Sequence, residues 1–261
     1  MHRESLIDIL KPIVEAMVFP IRIYKNDVNG IDYKLHVNNV YHSQIGFEAI
    51  IGGNPYTIKE VNYSLNILTV TDETGTTPIT VTEFNLYEPY FFHGTPIETG
   101  AELMPINDAS KKTPMIWVMD GFTDTDDEDA ESTTDRISKP RIFFLTQCNF
   151  NKVTNQLHDE YERPMRSLKN SFEKAIKNEW ALFDTIDWKV DVIAYNKFGV
   201  YIQNKGVPDS LFADQLSGIE IQPSFNILKN GDCLTPPTIF LADECDELLL
   251  DECNNILTLQ F

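Results

Sequence analysis

The acidic stretch from Gly121 to Arg136, GFTDTDDEDAESTTDR, is the first place where residue types suggest chemistry. A calcium loop of the EF-hand type needs glycine at its sixth position and glutamate at its twelfth. Counted from Asp124, these positions hold Asp129 and Asp135, so the required sharp turn has no glycine. Mutual repulsion and the Ser/Thr content instead favour an exposed polar loop between two apolar strands. The acidic residues assigned to this exposed loop are Asp124, Asp126, Asp127, Glu128, Asp129 and Glu131.

Other side chains that could catalyse a reaction lack the neighbours that catalysis requires. Asp120, at the end of a core strand, is the best single carboxylate for a metal-dependent enzyme, but two-metal chemistry needs several carboxylates on rigid elements. No G-x-S-x-G nucleophile motif is present. Cys148 ends an apolar strand and is expected to be a buried small hydrophobe. His36 and His42, the closest pair of histidines, do not have the spacing of metal ligands.

Phosphate and zinc sites find equally little support. Gly52-Gly53-Asn54 predicts a hairpin turn, because a phosphate-binding loop would continue with Gly-Lys-Ser/Thr. Cys245 and Cys253 close two DEC triplets, but a zinc site needs two further ligands, and Cys233 supplies at most one. We therefore predict no cofactor, no metal site and no catalytic residue.

The overall charge limits the partners of this chain. Its 261 residues carry 40 acidic and 21 basic side chains, a formal net charge of −19. Such a surface repels nucleic-acid phosphates and anionic membranes, so neither specific nucleic-acid binding nor membrane association is expected. The N-terminal segment lacks a signal-peptide pattern, and no apolar stretch reaches bilayer-spanning length. The sequence predicts synthesis in the cytosol, where disulfides are not expected.

The elements that must position these side chains begin with one helix and many short strands. Residues 4–18 have apolar residues at helical spacing, with a kink or break expected near Lys11 because Pro12 follows. FPIRIY predicts a strand, and β segments with turn signals fill residues 32–90. Residues 91–113 are rich in Gly, Pro and Thr and are expected to form a connector.

The second half of the chain combines four strands with one clear helix. The strands are predicted at Met115–Met119, Arg141–Cys148, Asp187–Ala194 and Gly218–Leu228. The helix, ERPMRSLKNSFEKAIKNEWALF, has an apolar stripe facing inward. Arg163, Arg166 and Lys169 are expected on its exposed basic face.

These elements indicate an α+β fold. An antiparallel sheet packed with helices would carry a small β-barrel or sandwich-like insert and a C-terminal β-arm. The expected division gives residues 1–23 to the N-terminal helix and first core strand, 24–105 to the β-rich insert with its connector, 106–230 to the α+β core and 231–261 to the arm. The arm has too little core of its own and would need to pack on something.

Four segments follow one another in a characteristic order after the N-terminal helix and strand. They are FFHGTPIETGAEL, TPMIWVMDGF, RISKPRIFFLTQCNF and RPMRSLKNSFEKAI. In this order they resemble the neck and tail-completion proteins of tailed bacteriophages, in particular the tail terminators of phages of Bacteroidetes bacteria. The resemblance covers residues 1–20 and 100–230.

The resemblance implies a structural virion protein without enzymatic activity. Terminators form a closed ring, commonly a hexamer, that caps the tail tube and joins it to the head-side connector. The implied partners are other copies of this chain, the tail tube protein and neck proteins, while DNA passes through the lumen. Arg163, Arg166 and Lys169 would contact the neighbouring subunit or the tube, or would form a solvated helix face.

Three other functions stay open from the sequence. The chain would serve as another virion adaptor or baseplate component if the β-rich insert is a docking module. A metal-dependent enzyme would use Asp120 and loop carboxylates, which titration calorimetry with Mg²⁺, Mn²⁺ and Ca²⁺ would test. A secreted β-rich module with Ca²⁺ in the loop is disfavoured by the absence of a signal-peptide pattern.

Overall fold

The computed structural model describes residues 5–72, 78–103, 106, 112–126, 134–151, 154–179, 182–184, 190–202, 208–210, 215–228, 239–240 and 258–259. Of these residues 49% lie in strands and few lie in helices, so the described fold is mostly β and largely antiparallel. Its helical content is lower than the sequence suggested. Within the described ranges, no helix is long and apolar enough to cross a bilayer.

The first helix, α1 (Leu6–Glu15), begins with a capping box. The Ser5 hydroxyl accepts from the Asp8 N–H, and the Asp8 carboxylate accepts from the Ser5 N–H, both at 3.2 Å. The helix runs through Pro12 without interruption, so the predicted break near Lys11 is wrong. Its apolar stripe packs into a core shared with both large sheets, and this burial compensates for the hydrogen bond that proline cannot make.

The first large sheet has six antiparallel strands and curls into an open barrel. Its order is β3-β4-β5-β2-β1-β6, and the two end strands approach within 8 Å between Cα atoms. The first strand runs across residues 23 and 24, so the boundary predicted there falls inside β1. The strands are β1 (Pro20–Asn29), β2 (Asp32–Val37), β3 (Glu48–Ile51), β4 (Asn54–Asn62), β5 (Ile67–Thr71) and β6 (Glu83–Asn85).

The hairpin turn predicted at Gly52-Gly53 is confirmed. It joins β3 to β4 with Ile51 opposite Asn54. The two glycines have φ angles of 61° and 85°. Positive φ at both central residues is what a type I′ turn requires, and glycine adopts it without a steric penalty.

The second large sheet has seven strands arranged around β9. On one side β8 lies antiparallel to β9, and β7 lies parallel to β8; on the other, β14 and β15 pair with β9 and carry β11 and β10. Two short pairs, β12 with β13 and β16 with β17, complete the described strands. The strands are β7 (Tyr90–Gly94), β8 (Met115–Asp126), β9 (Thr134–Gln147), β10 (Phe183–Asp184), β11 (Val192–Phe198), β12 (Val200–Ile202), β13 (Pro208–Ser210), β14 (Leu216–Ile221), β15 (Phe225–Leu228), β16 (Ile239–Phe240) and β17 (Thr258–Leu259).

Two segments are more regular than their sequence suggested. The strands predicted at Met115–Met119 and Arg141–Cys148 are confirmed, but their hairpin extends to Asp126 and resumes at Thr134, so part of the expected acidic loop is strand. Residues 91–113, expected to be a connector, contribute most of β7 and the helix α2 (Pro96–Leu103). Ladder pairing with neighbouring strands accounts for the strand residues in both segments.

The remaining helices lie against one face of the second sheet. The short helix α3 (Thr154–Leu157) leads through a π-helical turn (His158–Glu162) into α4 (Arg163–Asn178). The inward stripe predicted for this helix is confirmed, because Met165, Leu168, Phe172 and Ile176 are all buried. They join the core that also contains α1 and the open barrel, so the two sheets share one apolar interior. The predicted C-terminal arm, apart from β16 and β17, lies outside the described residues.

Candidate functional site

The described acidic residues of the hairpin sit in paired strands. Asp124 and Asp126 lie on β8, opposite Ser138 and Arg136 of β9, and the Arg136 guanidinium is 3.8 Å from the Asp124 carboxylate. This part of the predicted exposed loop is therefore a strand pair with a cation beside its carboxylates. The other predicted members, Asp127, Glu128, Asp129 and Glu131, fall outside the described residues.

Asp120 gains one potential partner from the fold. Its carboxylate is 3.7 Å from His93 Nε2, and its side chain is 54% exposed. Among the described residues, no group of three or more His, Cys, Asp or Glu side chains is arranged to hold a metal ion. Asp120 and His93 by themselves supply two ligands, fewer than catalytic zinc sites use.

Two candidate reactive groups, Cys148 and His42, are half-buried, so Cys148 is less buried than the sequence suggested, and both are held in unreactive forms. Burial raises the pKa of the Cys148 thiol to about 12, so it stays protonated at neutral pH and is not a nucleophile. Burial lowers the pKa of His42 to about 4, so its ring stays neutral. His42 Nε2 lies 3.2 Å from the Ser167 hydroxyl and 3.4 Å from the Ser171 hydroxyl, which joins the loop after β2 to α4. These contacts give the histidine a structural role.

The three cations predicted for an exposed basic face of α4 are already matched by carboxylates. Each pairs one helical turn away: Arg163 with Asp159 at 3.0 Å, Arg166 with Glu162 at 2.7 Å and Lys169 with Glu173 at 2.9 Å. The Lys169 side chain is only 13% exposed, so its assignment to an exposed face is wrong. Arg163 is also covered in part, because its guanidinium stacks 4.5 Å above the Tyr63 ring. Of the three residues, Arg166 alone is exposed.

A buried ion pair on the second sheet was missed by the sequence analysis. Glu220 of β14 is fully buried and accepts from Arg141 Nε at 2.6 Å and Nη2 at 3.0 Å, from the Tyr195 hydroxyl at 2.6 Å and from Gln222 Nε2 at 2.7 Å. Burial favours a raised pKa for the Glu220 carboxyl, but the donors outweigh it and hold the pKa below its usual value. A glutamate inside the apolar strand GIEIQ was the signal that could have revealed it.

This ion pair lies beside an aromatic core on the sheet face away from α4. Trp117 stacks on Phe143 with ring centroids 4.8 Å apart, and Phe198 contacts both rings. The Trp117 indole N–H donates to the Gly94 carbonyl at 2.9 Å, which fixes β7 beside the sheet. Buried apolar residues thus lie on both faces of the sheet, and the aromatic cluster stabilises the fold.

Strands β7 and β11 are edge strands of the second sheet. At one end of the second sheet, the Tyr90 N–H of β7 donates to the Pro114 carbonyl at 3.0 Å. Because the backbone groups of successive residues point to opposite sides of a strand, those of Phe91 and His93 point away from β8. At the opposite end lies β11, with Ile193 41% exposed. No further strand among the described residues pairs with the outer side of β7 or β11.

The chain matches no protein-family model, no curated protein and no solved structure. The resemblance to tail terminators therefore depends on the four quoted sequence segments alone. Its function has to be argued from those segments and from the surfaces of the molecule.

Proposed function

We propose that this chain is a structural protein of the phage neck, a tail terminator whose ring caps the tail tube and joins it to the head-side connector. The observation that supports this is the arrangement of the four segments that carry the resemblance. FFHGTPIETGAEL provides β7 and α2, TPMIWVMDGF enters β8, RISKPRIFFLTQCNF enters β9 and RPMRSLKNSFEKAI enters α4. They form three adjacent strands with a helix on one face, a single unit that repeated copies could place around a ring.

In this proposal the chain has an α+β terminator core with two additions. The core is the second sheet with α4 on one face, and the additions are the open barrel and a C-terminal arm at residues 231–261. The virion is then the location of the protein, and the protein is not an enzyme. A net charge of −19 suits a ring through which DNA must pass without being retained.

Ring formation requires contact between two unlike surfaces of the same chain, because a heterologous interface closes by rotation. The edges β7 and β11 are unlike and lie at opposite ends of one sheet. We place the subunit contact there, and the interface would need to bury about 800 Å² on each partner. Of the three predicted contact residues, Arg163 and Arg166 remain proposed contacts, and the exposed Arg166 is the more accessible, whereas Lys169 is only 13% exposed.

The test is to measure the mass of the purified protein and to image it alone and with assembled tail tubes. The proposal expects a closed ring, commonly of six copies, either in solution or on the tube end. Ile193→Lys on β11 should weaken the ring, whereas Val28→Lys, at a 62% exposed residue of β1, should not. Arg166→Glu should also weaken it, and because Arg166 pairs with the buried Glu162 at 2.7 Å, this variant should melt at a lower temperature and is to be compared where it is still folded.

A protein that stays monomeric and leaves tube ends uncapped would contradict the proposal. Images of the virion that place the chain at the baseplate would replace it with the adaptor alternative.

A further inference from the structure

The end strand β3 of the open barrel turns half of its backbone away from the sheet. The Ile58 N–H donates to the Phe47 carbonyl at 2.8 Å, and Ile51 lies opposite Asn54 in the same register. Because antiparallel bonding alternates along a strand, the backbone groups of Glu48 and Ile50 point away from β4. Pro55 faces Ile50 at a position that needs no amide donor, which agrees with this assignment.

The other end strand, β6, does the same. The Thr82 carbonyl accepts from the Ile23 N–H at 2.8 Å, and the Leu86 N–H donates to the Phe19 carbonyl, just before β1, at 3.0 Å. The alternation therefore turns the backbone groups of Glu83 and Asn85 away from β1. Within the described chain, β3 pairs with β4 alone and β6 with β1 alone.

These two edges line one groove of about 670 Å³. That volume lies in the range of small-molecule and peptide sites. The groove includes Glu48, Ile50, Glu83 and Asn85, the same residues whose backbone groups point outward from the two edges. Glu88 adds a third carboxylate, and the described residues that line the groove include no lysine or arginine. Arg22 lies 3.8 Å from the Glu83 carboxylate, and both side chains are more than half exposed.

We propose that this groove binds an extended, basic segment of a partner protein as an added β-strand. The exposed backbone groups of the two edges provide the main-chain hydrogen bonds of strand addition, which give affinity, while the side-chain surroundings give specificity. Glu48 and Ile50 of β3 and Glu83 and Asn85 of β6 point outward, and their neighbours Ala49, Ile51 and Phe84 point into the core. The segment should therefore alternate lysine or arginine with apolar residues. This inference does not depend on the ring proposal.

The direction of the added strand follows from the topology. All neighbours in this sheet are antiparallel and the strand number is six, so β3 and β6 run antiparallel to each other. A strand between them is antiparallel to one edge and parallel to the other. Full pairing on both sides needs roughly 9.5 Å between the edges, whereas they approach within 8 Å. Binding should spread the edges slightly where they are closest.

The test uses a labelled peptide, acetyl-Lys-Val-Lys-Val-Lys-Val-amide, and fluorescence anisotropy at low ionic strength. The unaltered chain should bind it more tightly than the matching Glu-Val peptide. Glu48→Lys with Glu83→Lys should weaken the Lys-Val peptide about tenfold and reverse the preference, because two cross-strand charge pairs change from attraction to repulsion. The control, Glu15→Lys with Glu179→Lys, makes the same change in net charge at exposed positions away from the groove. It should change affinity by about twofold or less, since long-range charge is screened.

A second peptide separates strand pairing from simple charge attraction. N-methylation of the valines removes alternate backbone donors and keeps every charge, and it should weaken binding about tenfold. Hydrogen exchange should slow at Glu48, Ile50, Glu83 and Asn85 when the unmodified peptide is added. Equal binding of the methylated peptide, equal effects of the two double variants, or no binding at millimolar peptide would each overturn the proposal.

Discussion

Replacing Arg141 by methionine should leave a buried carboxylate short of donors. Glu220 is 0% exposed, and Arg141 provides two of its four hydrogen bonds, at 2.6 and 3.0 Å. A hydrogen bond to a charged group contributes about 1.5–3 kcal/mol. The Arg141 side chain is 44% exposed, so solvent already screens part of this pair, and we take about 2 kcal/mol for both bonds together. For a chain of this size, that loss lowers the melting temperature by about 4–8 °C.

Thermal and urea unfolding of Arg141→Met measures this loss. Lys11→Met is the matched control, because Lys11 pairs with Glu15 at 3.9 Å with both side chains 58% exposed. Such an exposed pair contributes about 0.5 kcal/mol or less. The double variant Arg141→Met with Glu220→Met should be more stable than Arg141→Met alone, since no buried charge is left without a counter-ion.

The pH dependence gives an independent reading of the same pair. The folded-state pKa of Glu220 is held below the ordinary value of 4.5, so its contribution to stability is present above that pH and is lost as the pH falls through the folded-state pKa. Removing Arg141 takes away a cause of that lowering and leaves burial to raise the pKa of Glu220, so the variant should lose less stability than the unaltered chain as the pH falls below 4.5. If Arg141→Met melts like Lys11→Met, and the double variant is the least stable of all, the reasoning is refuted.

Three further predictions concern Gly218, His42 and Trp117. Gly218→Ala should unfold the chain or lower its melting temperature sharply, because the added Cβ would lie 1.9 Å from the Phe144 carbonyl oxygen. His42→Gln should flatten the pH dependence of stability between pH 6.5 and about 4, where the unaltered chain loses up to about 1.4 kcal/mol per pH unit because its unfolded state takes up a proton first. Trp117→Phe should cost about 1–2 kcal/mol in urea unfolding, since the Gly94 carbonyl loses its donor.

The sequence predicted those parts of the fold that depend only on residues near each other in the chain. The inward stripe of α4 follows from helical periodicity, and the Gly52-Gly53 turn follows from the freedom of glycine at positive φ. The prediction at Pro12 was wrong because the burial of α1 decides whether the helix continues. The chemistry of proline does not reveal that burial. The strands predicted for the β8–β9 hairpin were too short, because the acidic composition of their ends did not indicate that these residues pair in a ladder.

The sequence also did not predict which side chains would pair with the charged residues. Glu220 meets Arg141 across 79 residues of chain, and only strand pairing brings them together. Lys169 was placed on an exposed face because periodicity gives the direction of a side chain from the helix axis and not what lies beyond it. The sequence therefore shows which residues are charged, but it does not show which of their side chains are exposed to solvent.

Polar contacts as well as apolar contacts join the two large sheets. These polar contacts affect how the proposed binding surfaces are positioned relative to each other. Gln44, from the loop after β2, is 3% exposed; its amide donates to the Gln147 carbonyl at 2.9 Å and its carbonyl accepts from the Thr146 hydroxyl at 2.5 Å. Buried polar groups of this kind fix one arrangement, because any sliding of the barrel against β9 would leave several of them without partners. The groove between β3 and β6 and the edges β7 and β11 thus belong to elements with one interior. A strand bound in the groove would be held at a defined position relative to a ring formed through the second sheet.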